Sequence, residues 1–201
     1  MKKALSLAIL SGGKNRRFGG IAKAFVKING IPVFRRIMNC IDVKQYMIII
    51  NDPINKKELK DEPNIESFPD LITGKGPLSG IHSALMHSEN EVVLIMPSDL
   101  PLMNKKAIDF FITNYKSDAD IIAPYDSKHI HPVSAIFHKR QIEQLEEFLN
   151  TEDNYNLHNY LKHVKTHYIK LPEDSLIKQA FMNMNTIDDY QTILNLLNNE
   201  N

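Results

Sequence analysis

A single cysteine, Cys40, and no tryptophan occur in this sequence. One thiol has no partner within the chain, so a disulfide-stapled scaffold is excluded and a reducing compartment, the cytoplasm, is expected. No apolar run approaches the ~18 residues that a membrane-spanning helix needs. The apolar start, Ala4 to Leu10, runs into a polar basic loop rather than the small-residue cleavage site of a signal peptide. Net charge is absent as well: 24 Lys and Arg balance 24 Asp and Glu. Balanced charge with many Ile, Leu, Val and Phe is not the composition of a disordered segment. One absence is local. Residues 1–41 contain no acid, yet carry nine basic side chains: Lys2, Lys3, Lys14, Arg16, Arg17, Lys23, Lys27, Arg35 and Arg36. A basic end of this kind suits a solvated surface, a nucleic-acid patch or a phosphate site, and position along the chain decides among them.

What is present describes one folded domain. A length of 201 residues with 43% hydrophobic side chains is enough to bury a core. Short aliphatic runs read as buried strands: Leu5–Leu10, Tyr46–Ile50, Glu91–Met96, Asp120–Pro124, Val133–Phe137 and Lys165–Ile169. A further short strand is expected at Ala24–Ile28, ending at the turn Asn29-Gly30. Between these runs the periodicity is helical. Pro32 suits the first residue of a helix burying Phe34, Ile37, Met38 and Ile41, with Cys40 as an inert thiol inside it. A polar stretch before Pro69 reads as helical. Ile81, Ala84 and Leu85 have helical spacing, and Asn104 reads as the N-cap of a helix burying Ala107, Ile108, Phe111, Ile112 and Tyr115. Helices are also expected after Lys139, burying Ile142, Leu145 and Leu149, and near Tyr155–Leu161. Phe181 to Asn185 reads as a short strand leading into a last helix, with Thr186 and Asp189 as a capping box. Ile187, Tyr190, Ile193, Leu194 and Leu197 form its expected inner stripe.

Alternating strands and helices argue for an α/β domain with a mostly parallel sheet, in which ligands bind beyond the carboxyl ends of the strands. The conspicuous loops, 11–23, 51–53 and 97–103, all follow strands. The first, Leu10-Ser-Gly-Gly-Lys-Asn-Arg-Arg-Phe-Gly-Gly20, sets four glycines among three cations. Exposed backbone N–H groups beside cationic side chains make a polyphosphate cradle. The loop is neither a Walker loop nor a dinucleotide fingerprint, since both spacings are missing. Asp99, between Pro97 and Pro101, can hold a hard cation such as Mg²⁺. Asn51 and Asp70 sit on loops at the same inferred edge. A carboxylate beside an amide can read the donor edge of guanine, and both residues are also ordinary turn formers. Asn183 and Asn185 share a face, and one of them could complete a metal site or cap a turn. His129 and His131 also share a face, but two ligands with no cysteine nearby do not make a zinc site.

Leu10-Ser-Gly-Gly-x-x-x-Arg-Phe-Gly-x-x-x-Lys23 resembles the L-x-G-G-x-S-x-R-M-G-x-x-K signature of nucleotidyltransferases that activate sugars and cofactors. Gly76-Pro-Leu-Ser-Gly-Ile81, Pro97-Ser-Asp-Leu-Pro101, His131-Pro132 and Asn183-Met-Asn-Thr186 extend the resemblance, almost end to end, to the molybdenum cofactor guanylyltransferase family. The resemblance implies a Rossmann-like three-layer sandwich of the nucleotide-diphospho-sugar transferase type. The nucleotide-binding part would lie at about 1–103 and the acceptor-binding part at about 104–201. It implies transfer of GMP from GTP to molybdopterin bearing molybdenum, with Mg²⁺ or Mn²⁺ as cofactor; the acceptor would arrive free or be handed over by a cofactor-delivery protein. Leu10, Ser11, Gly12, Gly13 and Lys23 would hold the nucleotide, Asn51 and Asp70 its guanine and ribose end, and Asp99 the metal. Lys23, Arg17 and Asp99 would be catalytic. Arg17, Gly76, Ser79, Gly80, Asn183 and Asn185 would lie toward the pterin. The chain departs from the family pattern in having Ser11 for alanine, Phe18 for methionine, Ala22 where an acid is common, Ile187 for proline, and one extra residue before Lys23.

Three rival readings follow from the same residues. A sister enzyme could use CTP or another phosphorylated acceptor. A non-catalytic GTP-binding module acting in cofactor insertion would need neither Asp99 nor a metal. A nucleic-acid binder is disfavoured, because the cations cluster on one glycine loop with no interleaved aromatic platform.

Overall fold

The aliphatic runs become strands and the amphipathic stretches become helices in the computed structural model, which describes residues 4–12, 21–51, 57–127 and 129–199. The first half contains β1 (Leu5–Leu10), the hairpin β2 (Lys27–Ile28) and β3 (Ile31–Pro32), α1 (Val33–Met38), β4 (Gln45–Ile49), β5 (Ile65–Phe68) and α2 (Pro77–His87). There follow β6 (Val92–Pro97), α3 (Lys105–Thr113), β7 (Ile121–Tyr125) and β8 (Ala135–His138). The last part holds α4 (Ile142–Thr151), α5 (Leu157–His163), β9 (Thr166–Lys170), α6 (Ser175–Ala180) and α7 (Ile187–Asn199).

Among the described residues, seven strands form one sheet in the order β5-β4-β1-β6-β8-β7-β9. Every pairing is parallel except those of β8, which runs against both β6 and β7. Both faces of the sheet are covered, and strand alternation shows it. Leu5, Leu7 and Ile9 of β1, with Leu94 and Met96 of β6, pack on the side of α1, α3, α6 and α7. Ala8, Leu10, Val93 and Ile95 face the other side, toward α2, α4 and α5. The expected three-layer α/β sandwich is the fold observed. Among the described residues, no helix is long and apolar enough to cross a membrane.

The register fixes where the functional loops leave the sheet. Phe68, Ile49, Leu10 and Pro97 are cross-strand neighbours in one row across β5, β4, β1 and β6. The ladder extends one residue beyond that row: Ile50 N–H donates to Phe68 O (2.8 Å), Ser11 N–H to Ile49 O (2.9 Å) and Ser98 N–H to Leu10 O (3.1 Å). Because β8 is inverted, the connection 126–134 begins and ends at this same edge.

Several elements differ from expectation. The polar stretch before Pro69 contains β5 where a helix was expected; the strand is short, lies at the sheet edge and is only half-buried, so Glu66 and Ser67 can occupy it. Residues 24–28 divide into a single 3-10 turn, Lys23–Phe25, and the two-residue β2. Asn29 and Gly30 both take positive φ, 50° and 79°, as a tight hairpin turn requires. Pro32 is the N-cap of α1 rather than its first residue, and the helix ends at Met38, before Cys40. No strand forms at 181–185, which is a turn followed by irregular backbone. Ile187 is 62% exposed and does not belong to the inner stripe of α7, whereas Ile193 is fully buried.

Candidate functional site

Two side-chain groups assemble at the carboxyl edge of the sheet. The first follows β4 and β5. Asn51 Nδ2 donates to Asp70 Oδ2 at 2.6 Å, and the Asp70 backbone N–H donates back to Asn51 Oδ1 at 2.8 Å. A neutral amide thus fixes one carboxylate oxygen and the backbone beside it. Burial raises the Asp70 pKa from its ordinary value, and the Asn51 hydrogen bond opposes that rise. Asp70 Oδ1 faces Gly80 at the end of the first turn of α2: a Cβ there would come within 3.6 Å of Oδ1 and 3.2 Å of Leu10 Cδ2. Glycine at 80 keeps this space open.

The second group surrounds Lys23, on the 3-10 turn. Lys23 Nζ donates to Asn185 Oδ1 at 2.5 Å and lies 3.5 Å from Asp99 Oδ2. Three distant parts of the chain therefore meet at one ammonium. Asp99 follows β6 at the turn after Pro97, and burial raises its pKa while Lys23, by charge and hydrogen bond, opposes the shift. Asn185 is placed by its own backbone N–H and that of the residue before it. Met184 N–H donates to Asp99 O (2.8 Å), and Asn185 N–H donates to Asp189 Oδ2 (2.8 Å). The expected capping box is formed: Thr186 N–H donates to Asp189 Oδ2 (2.8 Å), and Asp189 N–H to Thr186 Oγ1 (3.1 Å). Its backbone donors lower the Asp189 pKa. Asn183 is exposed and lies outside the trio.

A cleft of about 650 Å³ runs along the edge, with Leu10, Gly12, Asn51, Asp70, Gly76, Ser79, Gly80 and Pro97 among its lining residues. Gly76, Ser79 and Gly80, expected toward the pterin, thus share a cleft with Asn51 and Asp70. Gly76 takes φ 61° and ψ −142°, a conformation open to glycine, and lets Pro77 start α2. Ser11 is buried, and its hydroxyl has no hydrogen-bond partner among the described residues. Gly13 and the loop cations Lys14, Arg16 and Arg17 lie outside the described residues. The His pair does not assemble a site. His131 Nε2 bonds Asp126 Oδ2 (3.0 Å), the His129 backbone N–H bonds Asp126 Oδ1 (2.8 Å), and no group of three metal-binding side chains occurs among the described residues.

Residue-level reading missed two features of the site. Ile49, Gly74 and Val133 also line the cleft. Gly74, with φ 79°, lies two residues before Gly76 in a stretch that also holds Pro69 and Pro77, a composition that marks a loop. Nothing local marks Val133, which reaches the cleft only because β8 is inverted. The Lys23–Asn185 bond spans 162 positions and has no local signal either.

A doubly covered, mostly parallel sheet with its polar loops gathered at one carboxyl edge is a build that nucleotidyltransferases share with other α/β proteins. The chain belongs to the MobA-like NTP transferase family, whose domain model matches residues 7–166. It is 32% identical over 194 residues to the probable molybdenum cofactor guanylyltransferase of Clostridium perfringens strain ATCC 13124, covering 94% of this chain and 96% of that protein. It is 31% identical over 186 residues to the molybdenum cofactor guanylyltransferase of Vibrio atlanticus, covering 92% of each. Among solved structures, molybdopterin-guanine dinucleotide biosynthesis protein A of Archaeoglobus fulgidus superposes with a TM-score of 0.78 over 96% of this chain and 99% of that one. At 20% identity that likeness is one of fold.

Proposed function

We propose that this chain acts in molybdenum cofactor biosynthesis by transferring GMP from GTP to the terminal phosphate of molybdenum-molybdopterin, releasing pyrophosphate. The observation that carries the reading is the pairing of two unlike groups on one strand row. Asn51 and Asp70 follow β4 and β5, whereas Lys23 and Asp99 meet beyond β6. Neighbouring strands are ~4.8 Å apart, so β4 and β5 lie two and three spacings from β6, roughly 10–14 Å. That is the scale of an extended nucleotide from base to phosphates. The names of the Clostridium and Vibrio relatives support the same substrates.

Asp70 would accept from the ring N–H and exocyclic amine of guanine, with Asn51 holding the carboxylate in place. Backbone at Leu10, Gly12 and Gly13, together with the Ser11 hydroxyl, which has no partner among the described residues, would meet the nucleotide. The terminal phosphate of the acceptor is already anionic, so no general base is needed. One of its oxygens would attack the α-phosphorus in line as the bond to the bridging oxygen breaks, leaving that electron pair on pyrophosphate. Catalysis then rests on positioning and charge neutralisation. Lys23 and the loop cation Arg17 would compensate negative charge on the α-phosphate and the departing group. The Asp99 carboxylate and the Asn185 amide oxygen already converge on a cation, Lys23, and such oxygen donors suit a hard divalent ion. Mg²⁺ or Mn²⁺ held there would supply Lewis-acid polarisation of the phosphates. Asn183 would face the pterin.

The test is pyrophosphate release with Mg²⁺ and molybdate-loaded molybdopterin, running GTP, CTP, ATP and UTP in parallel. Release with GTP alone is expected; release with CTP overturns the base reading and keeps the mechanism. Asp99→Ala and Lys23→Ala should each lose about a hundredfold or more in turnover with the fold intact, the scale of a lost electrostatic contact in the transition state. Near-wild-type activity in both purified variants would sink the mechanism.

A further inference from the structure

The segment that carries Asp70 has no regular structure between β5 and α2, so its backbone N–H groups have no ladder partners and must find others. Side chains supply them. Asp70 N–H is taken by Asn51 Oδ1, and Leu71 N–H donates to Ser83 Oγ at 2.7 Å. Lys75 N–H donates to Ser79 Oγ at 3.0 Å. Ser79 and Ser83 are one helical turn apart on α2, so a single rigid helix face pins the segment at two points.

Ser83 is fully buried, on a helix whose neighbouring residues Leu78, Ile81, Ala84 and Leu85 are core. A hydroxyl in that setting costs stability unless it is hydrogen-bonded, and alanine would pack there as well. The Leu71 side chain, by contrast, is 50% exposed, so apolar packing does not hold residue 71 in place. The hydrogen bond to Ser83 does. Asp70 is therefore bracketed, with its own N–H fixed by Asn51 and the next N–H fixed by Ser83.

We propose that Ser83 is a positioning residue for base selection, setting the Asp70 carboxylate through the peptide bond that follows it. This rests on the guanine reading of the Asn51–Asp70 pair. Ser83 itself touches no substrate. Its loss should cost selectivity without touching the Lys23–Asp99 group, because a small displacement of a bidentate acceptor weakens both bonds to the base at once.

The experiment measures GTP and ATP affinity by calorimetry for wild type, Ser83→Ala, Ser83→Thr, Asp70→Ala and the Asp70→Ala/Ser83→Ala double variant, with kcat at saturating GTP. Ser83→Ala should weaken GTP about tenfold, the scale of one lost hydrogen bond, and change ATP affinity and kcat less than about twofold. Ser83→Thr, which keeps the hydroxyl, should restore the GTP preference. In the Asp70→Ala background, Ser83→Ala should leave the GTP-to-ATP ratio unchanged. Equal weakening of both nucleotides, or an added selectivity loss without Asp70, would overturn the proposal. Wild-type protein that binds GTP and ATP alike would instead overturn the guanine reading, and this proposal with it. Hydrogen exchange of the wild-type Leu71 amide needs no variant: GTP should slow it further and ATP should not, and equal slowing by both counts against the proposal.

Discussion

Cys40 illustrates how much one side chain's surroundings decide. Its Sγ lies 3.1 Å from both Arg36 O and Met103 O, and burial pushes the thiol up to about 11. At pH 8 such a thiol is held almost wholly protonated, and the thiolate is the reactive form. Iodoacetamide at pH 8 should therefore leave the folded protein unlabelled over a period in which the urea-unfolded chain reacts fully; equal labelling rates would contradict this. Lys23, Asp99 and Asn185 were each singled out from the sequence. Their meeting was not. An ammonium placed 2.5 Å from an amide 162 positions away is a product of tertiary assembly, and no local pattern encodes it. Ile187 shows the reverse case: helical spacing put it on the inner stripe, but it lies in the first turn of α7, beyond the reach of the core, and stays exposed.

At the scale of elements, short polar residues fix where helices begin. Asn104 caps α3 by accepting from Ala107 N–H at 3.0 Å, and its Nδ2 donates to Leu176 O at 2.9 Å, tying α3 to α6. Asn104→Ala should cost about 1–2 kcal/mol, at the upper end for a cap because the tie is lost with it, and urea melts read this directly. Asn104→Asp keeps the cap but not the donor, and should fall between alanine and wild type. Caps were the most readable punctuation in this chain. The Asn104 cap and the Thr186–Asp189 box were both evident from residue order. The cap of α6 was also present in the sequence: Asp174 Oδ1 accepts from Leu176 N–H (2.9 Å) and Ile177 N–H (3.2 Å). That helix has only six residues, too few to display a periodicity, and it went unread. β5 was misread for a related reason. An edge strand of four residues with one neighbour needs no clean alternation.

Over the whole molecule, the sheet sets a gradient of protection. β1 is paired on both sides and buried on both faces, whereas β5 and β9 are edges. Amides of Leu7–Ile9 should exchange only through global unfolding, and those of Ile65–Phe68 and Thr166–Lys170 orders of magnitude faster, as native-state hydrogen exchange would record. Uniform protection across the sheet would contradict that gradient. The layered α/β class was legible because aliphatic runs alternate with amphipathic stretches. Strand order and the reversal of β8 were not, since both depend on which strands pair rather than on what any strand contains. That reversal also determines where the molecule can change size. Chain inserted between Tyr125 and Ala135 adds contour length at the mouth of the cleft, beside Val133, and leaves the parallel register on either side unaltered. One wall of the cleft can therefore be resized at the 126–134 joint while the strands that precede Asn51, Asp70 and Asp99 stay as they are.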